Sequence, residues 1–235
     1  MRVAICRYGA GNVRSVELAL QRAGCSVDSG PDADVSGADL VVLPGVGSAH
    51  SAMAGLVSRG LDVALRERVA AGRPVLGICL GLQLALDWTD EDGGVAGLAL
   101  VPGRAVRLAK GRVPRMGWAA LDDPAARTSD GQNTRTSDGQ STNGLVQPTG
   151  GGEATSGQRT CYYYAHSYVA DSPATTAWSE GVPVEVRWGS FVGCQFHPEK
   201  SGSVGAAYLD ALLDAWRLPA PSPAVRQGAE CHSPA

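Results

Sequence analysis

The sequence contains no apolar run long enough to span a membrane, no excess of basic residues and no pair of cysteines at Cys-x-x-Cys spacing. The first absence excludes a transmembrane helix, which needs about 20 consecutive apolar residues. The second removes the basic field that nucleic acid requires, because 20 Lys and Arg stand against 23 Asp and Glu, a net charge of −3. The third bears on how cysteine is used. Six cysteines, Cys6, Cys25, Cys79, Cys161, Cys194 and Cys231, are scattered over 235 residues. That scatter speaks against a disulfide framework and against a zinc or redox site, so neither metal nor cofactor is expected. No secretory leader is expected either. Arg2-Val3-Ala4-Ile5-Cys6 reads as a strand, without a long apolar region or a small-residue cleavage site, and the expected location is cytoplasmic. A dinucleotide fingerprint is incomplete: Gly9 and Gly11 are followed by Arg14 where a third glycine belongs, although Asp28 stands near the position of the ribose-binding acid.

What the chain does contain is organised around Gly77-Ile78-Cys79-Leu80-Gly81-Leu82-Gln83, preceded by the apolar run Val75-Leu76. This reads as strand, reactive side chain between glycines, then helix, the pattern of a nucleophile elbow carrying a thiol. At the start of a helix, free N–H groups and the positive end of the dipole would face the sulfur and favour an anionic nucleophile.

The first half alternates strands and helices. After the opening strand, Asn12 is placed to cap a helix whose Val13, Val16 and Leu20 recur at helical spacing until Gly24. Val27 marks a short second strand, and Asp39-Leu40-Val41-Val42-Leu43 is a continuous apolar run of the kind buried on both faces of a parallel sheet. It ends at Pro44-Gly45-Val46-Gly47, a turn at the sheet's carboxyl edge, where ligands bind in open α/β folds. Met53, Leu56 and Val57, then Leu61, Leu65 and Val69, continue the helical spacing up to Gly72. The expected fold is therefore α/β, a doubly wound and mostly parallel sheet flanked by helices, in a single domain over residues 1–217.

Beyond Trp88 the pieces become short and β-rich: residues 98–101, 105–108, 113–118, 160–169, 184–186 and 191–196. Residues 122–159 are mostly Ser, Thr, Gly, Gln, Asn and Asp, and the hexamer at 127–132 recurs at 135–140. Such a segment brings too little apolar surface to offset ordering entropy and is expected to be a disordered insert. A last helix carries Val204, Tyr208, Leu209, Leu212, Leu213 and Trp216, and the Pro/Ala/Ser-rich residues 218–235 are expected to be a disordered tail.

The strand at 191–196 runs into His197-Pro198-Glu199-Lys200-Ser201. A cysteine nucleophile needs a base that can return a proton to the leaving amine, and the base needs an acceptor that fixes its tautomer. If the segment is extended, His197 and Glu199 share a face and supply both.

Together these motifs resemble the class I, triad-type glutamine amidotransferases, of flavodoxin-like architecture. Tyr8-Gly9-Ala10-Gly11-Asn12-Val13-Arg14-Ser15, Pro44-Gly45-Val46-Gly47, Val113-Pro114-Arg115-Met116-Gly117-Trp118, Tyr164-Ala165-His166-Ser167-Tyr168 and Lys200-Ser201 make the chain similar to one branch. That branch is the glutaminase subunits of imidazole glycerol phosphate synthases, from histidine biosynthesis. The resemblance implies hydrolysis of glutamine to glutamate and ammonia, with Cys79 as nucleophile, His197 as base and acid, and Glu199 as its orienter. It implies an oxyanion hole from the backbone N–H groups of Leu80 and of Val46 or Gly47, and substrate contacts from Gly45, Gln83, His166, Ser167 and Tyr168. It also implies a heterodimer with a TIM-barrel cyclase that receives the ammonia, toward which Tyr164 and Lys200 would face. The chain departs from that pattern at Arg7, Arg115 and Ala119, the last in a segment that lies toward the cyclase in the family. Glutaminases serving synthases of anthranilate, guanylate or pyridoxal phosphate share the Cys-His-Glu logic, and the N-terminal glycine loop and Lys200 argue against them. A non-catalytic binding homologue would have no need of an activated thiol.

Overall fold

The computed structural model describes residues 1–9, 11–123 and 160–217. In chain order its elements begin with β1 (Arg2–Ile5), α1 (Val13–Arg22), β2 (Ser26–Asp28), β3 (Leu40–Leu43), α2 (Ala49–Ser58), α3 (Leu61–Ala70), β4 (Val75–Ile78) and α4 (Leu80–Ala85). Short strands follow: β5 (Trp88–Thr89), β6 (Val95–Ala96), β7 (Arg104–Arg107), β8 (Arg115–Ala120), β9 (Cys161–His166) and β10 (Tyr168–Asp171). The last elements are β11 (Thr175–Ser179), β12 (Val182–Trp188), β13 (Phe191–Cys194) and α5 (Gly202–Arg217).

The strands at the centre are apolar at every position, and this fixes where they lie. Leu40, Val41, Val42 and Leu43 are all fully buried, which requires cover on both faces of the sheet. The main sheet has seven strands in the order β11-β12-β13-β4-β3-β1-β2. Pairing is parallel from β2 through β1, β3 and β4 to β13, and antiparallel for β12 and β11. Because side chains alternate across a strand, Val3, Ile5, Leu40, Val42, Leu76 and Ile78 pack with α1 and α5, while Ala4, Val41, Leu43 and Val75 pack with α2, α3 and α4. A four-stranded sheet, β10-β7-β5-β6, and the pair β8-β9 complete the architecture. The expected mostly parallel, doubly wound sheet with a β-rich second half is what forms.

Helix ends follow local chemistry. The Asn12 side chain accepts from the Ser15 N–H at 3.4 Å, and the Ser48 hydroxyl accepts from the Ser51 N–H at 3.4 Å, each satisfying a donor that a first turn leaves free. Val57, spaced as a core residue, instead turns outward and is exposed.

Three expectations need correction. Residues 98–101 are not a strand. Their N–H groups bond the last carbonyls of α4, with Leu98 N–H to Leu84 O at 2.7 Å and Leu100 N–H to Ala85 O at 2.8 Å, so their apolarity reflects burial against a helix end. The strand expected at 113–118 begins and ends two residues later, as β8. The insert does not begin at Asp122, because this carboxylate accepts the N–H groups of Glu180 and Gly181 at 2.7 and 2.9 Å and ties the chain to the β11–β12 turn. Residues 124–159 and 218–235, expected to be disordered, lie outside the described residues. Leu121 N–H donates to Thr160 O at 3.0 Å, so the chain leaves and returns at one place. No helix among the described residues is long and apolar enough to cross a membrane.

Candidate active site

Cys79 stands where β4 gives way to α4, with φ 53° and ψ −107°. A positive φ on a residue with a Cβ costs on the order of 1–3 kcal/mol and persists only where its surroundings enforce it. Here the Cys79 N–H donates to Cys194 O at 2.8 Å on neighbouring β13, and Cys79 O accepts from Leu82 N–H at 3.1 Å in the first turn of α4. Both flanking glycines are demanded by close approach. A Cβ at Gly81 would lie 1.8 Å from Leu43 O, and one at Gly77 would lie 2.7 Å from the Phe191 ring. The elbow is thus pressed between β3 and β13, and Cys79 is left 5% exposed at the sheet's carboxyl edge.

The Pro44–Gly47 turn lies against that elbow. A Cβ at Gly45 would come within 2.5 Å of Leu80 Cβ and 2.7 Å of Gly81 N, while Gly47 has φ +111°. Buried Tyr8 props the turn from behind, its hydroxyl donating to Pro44 O. Burial raises the Tyr8 pKa, so it remains a neutral donor. The Leu80 N–H, first in its helix, has no acceptor one turn back, and Val46, which follows Gly45 in the turn, is 40% exposed.

On the next strand over, β13 leads into His197 and a single 3-10 turn, Pro198–Lys200. The expected extended His-Pro-Glu segment is therefore replaced by a tight turn, which still brings the two side chains together. His197 Nδ1 lies 2.8 Å from Glu199 Oε1, and these side chains are 2% and 3% exposed. Since the carboxylate can only accept, Nδ1 keeps a proton toward Glu199 and Nε2 is the nitrogen left to exchange a proton with the thiol. Nε2 makes no hydrogen bond of its own. Burial lowers the basicity of His197, but coupling to the Cys79 sulfur and to Glu199 outweighs it and raises its pKa to about 9. The imidazole is fixed from below by its own backbone, with His197 N–H bonded to Tyr163 O at 2.9 Å and His197 O accepting from Ser201 Oγ at 2.7 Å.

Three of the expected substrate residues, Gln83, His166 and Tyr168, are joined by hydrogen bonds. Gln83 is buried, and its Nε2 donates to Tyr168 O at 2.9 Å and to Gln195 Oε1 at 3.0 Å. His166 Nδ1 donates to the same Tyr168 carbonyl at 3.0 Å, which leaves a buried, unpartnered Nε2. Burial drives the His166 pKa down to about 4, so this ring is neutral and cannot duplicate the role of His197. Ser167 separates β9 from β10, its carbonyl accepting from Leu108 N–H at 2.9 Å.

Tyr164 does not face a partner. It is wholly buried, with the Arg115 guanidinium 4.4 Å from its ring centroid. Strand alternation puts its neighbour Tyr163 on the outer face instead, edge-on to Trp118 at 6.0 Å and 6.0 Å from Lys200 Nζ. Trp118 and Met116 on this face are 60% and 65% exposed. Arg115 turns inward, bonding Ser179 and Glu180 through Nη2 at 2.8 and 3.0 Å.

Sequence reading missed Gln195, a fully buried amide whose Nε2 donates to Cys79 Sγ at 3.5 Å. The available signal was a lone polar residue inside an apolar strand run ending beside His197. Among the described residues no cluster of His, Cys, Asp or Glu could hold a metal ion.

A thiol at a strained strand-to-helix turn and a carboxylate-oriented histidine just past the adjacent parallel strand are the residue set expected of a cysteine-nucleophile hydrolase on a doubly wound sheet. Comparison with known proteins gives the family: the chain belongs to the class-I glutamine amidotransferases, whose family pattern it matches over residues 8–214. It is 40% identical over 216 residues to "Imidazole glycerol phosphate synthase subunit HisH" of Carboxydothermus hydrogenoformans, covering 88% of this chain and 96% of the relative. It is 37% identical over 225 residues to the HisH subunit of Listeria monocytogenes serotype 4a, covering 90% and 95%. A solved glutamine amidotransferase shares the fold at TM-score 0.65 and 17% identity, over 92% of this chain and 99% of the other.

Proposed function

We propose that the protein is the cytoplasmic glutaminase subunit of an imidazole glycerol phosphate synthase, hydrolysing glutamine and passing ammonia to a TIM-barrel cyclase in a heterodimer. The partner would use that ammonia to make imidazole glycerol phosphate and AICAR ribonucleotide. The observation that supports this best is the His197–Glu199 pair, at 2.8 Å and buried, beside a thiol on a strained elbow. In the proposed reaction His197 Nε2 accepts the Cys79 proton while the sulfur attacks the side-chain amide carbon of glutamine. The carbonyl electron pair moves onto oxygen, which the N–H groups of Leu80 and of Val46 or Gly47 receive. As that pair returns, the C–N bond breaks, His197 gives its proton to the leaving nitrogen, and ammonia departs from a thioester. Water, deprotonated by His197, then releases glutamate and restores the thiol. Gly45, Gln83, His166, Ser167 and Tyr168 hold the glutamine. Trp118, Tyr163 and Lys200 form the face offered to the cyclase.

The test is Cys79→Ala, which replaces one small buried side chain by another. It should abolish glutamate production while leaving the fold and partner binding intact, and a glutamine analogue with an electrophilic carbon should label Cys79 alone. Cyclase together with its ribonucleotide substrate should raise glutamate production by orders of magnitude, and Val46→Pro should blunt that rise by fixing φ and removing an N–H. A fully active isolated subunit that gains nothing from the cyclase and its substrate would exclude the assignment.

A further inference from the structure

Gln195 makes a contact that the triad leaves unexplained. It is wholly buried, one residue past the end of β13 and two residues before His197. A buried primary amide presents two donors and one acceptor, and which end points where is decided by its partners. Here the partners leave no choice. The Tyr168 carbonyl can only accept, so Gln83 must turn its NH2 toward it, at 2.9 Å. The same NH2 then meets Gln195 at 3.0 Å and requires the oxygen of that amide. The NH2 of Gln195 is thereby turned to the Cys79 sulfur, at 3.5 Å. A backbone carbonyl on β10 thus sets, through two side chains, the polarity presented to the nucleophile.

We infer that Gln195 is a further catalytic residue of this site, donating an N–H to the Cys79 sulfur, with Gln83 as the positioning residue that orients it. This rests on the glutaminase reading for its place in the reaction, but not for its effect on the thiol. The donor favours the sulfur when it carries negative charge, since hydrogen bonds to charged acceptors are stronger than neutral ones. It also holds the sulfur in one orientation on the elbow. The bond is retained while His197 takes the proton, and no atom of Gln195 is transferred. The titratable groups near this sulfur are His197 with Glu199, Tyr8 and Cys194.

The test compares the wild-type full-length protein with Gln195→Leu and Gln195→Glu. Alkylation of Cys79 by iodoacetamide is followed by mass spectrometry of the peptide that carries it, across pH 5 to about 10 and without glutamine. Gln195→Leu should slow alkylation at pH 7 by about tenfold relative to the rate at high pH, moving the profile toward higher pH. Gln195→Glu keeps the bond from Gln83 but sets a carboxylate against the sulfur, so its profile should move further in the same direction, and this near-isosteric variant carries the test if the leucine variant does not fold. Profiles of both variants that superimpose on wild type, whatever happens to glutamate production, would reduce Gln195 to a packing residue and overturn the inference. A shifted profile in a protein whose wild type produces no glutamate would instead uphold the donor and defeat the glutaminase reading.

Discussion

Gly45→Ala probes the contact on which the proposed oxyanion site depends. The new methyl would lie 2.5 Å from Leu80 Cβ and 2.7 Å from Gly81 N. Carbon atoms pack at about 3.5–4.0 Å, so the turn and the start of α4 must separate by about 1 Å. Neither neighbour can yield as a flexible side-chain end would, since one is a Cβ and the other backbone. Overpacking of this kind costs about 1–3 kcal/mol. For a chain of this size that lowers Tm by about 2–12 °C. The effect on chemistry should be larger in proportion. Donors serve an oxyanion at about 2.7–3.1 Å, and losing one costs about 10²–10³-fold in kcat. Gly45→Ala should therefore lower kcat for glutamine hydrolysis about 10²-fold in the cyclase complex, with thermal denaturation of the same preparation giving the stability term. Leu80→Ala should not rescue it, because alanine retains both clashing atoms. Gly47→Ala is the counterpart: nothing lies within 4 Å, yet φ is +111°, so its cost of about 1–3 kcal/mol is conformational. A Gly45→Ala protein that melts and turns over like wild type would mean that the turn does not rest on α4, and the oxyanion argument would fail with it.

The two site histidines should bend the pH dependence of stability in opposite directions, read by denaturant melts from pH 4 to about 10. His197, raised to about 9 from 6.5, contributes stability that is complete below pH 6.5 and lost as pH rises through about 9. His166, lowered to about 4 from 6.5, contributes above pH 6.5 and loses that contribution as pH falls toward about 4. His197→Gln should flatten the alkaline limb and His166→Gln the acid limb, and the reverse pattern would show that the two environments have been exchanged. Arg68→Met should cost about 1–3 kcal/mol in urea unfolding, because it leaves unmet the carbonyls of Val35, Ala38, Asp39 and Pro74, to which the buried guanidinium donates at 2.8–3.0 Å. A loss under about 1 kcal/mol would mean that water replaces it. Replacing residues 124–159 by a short linker should leave Tm nearly unchanged, since Leu121 and Thr160 already meet at 3.0 Å and loop length contributes weakly to stability. Extending the deletion through Asp122 should lower Tm measurably, since its two bonds to the β11–β12 turn go with it.

Much of this protein was legible along the chain because the responsible forces are local. Apolar runs at 40–43 and 75–78 could only be central strands, Asn12 and Gly24 bound their helix, and Cys79 between Gly77 and Gly81 declared a sharp turn at a reactive side chain. Residue type alone also paired a histidine with a nearby acid. What the sequence could not decide was set by partners distant in the chain. The apolar residues 98–101 looked like a strand until α4 supplied the carbonyls that their N–H groups bond. Tyr162, Tyr163 and Tyr164 are identical in composition, and only the pairing of β9 with β8 determines that the middle one faces outward. Gln195 stood out only as a lone polar residue in an apolar run, and its role stayed hidden because it depends on a hydrogen-bond chain from Tyr168 through Gln83 to Cys79, residues up to 116 positions apart. Local pattern thus fixes which segments become strands, helices and turns, whereas the direction of a buried polar group is fixed by whichever donor or acceptor the fold places opposite it.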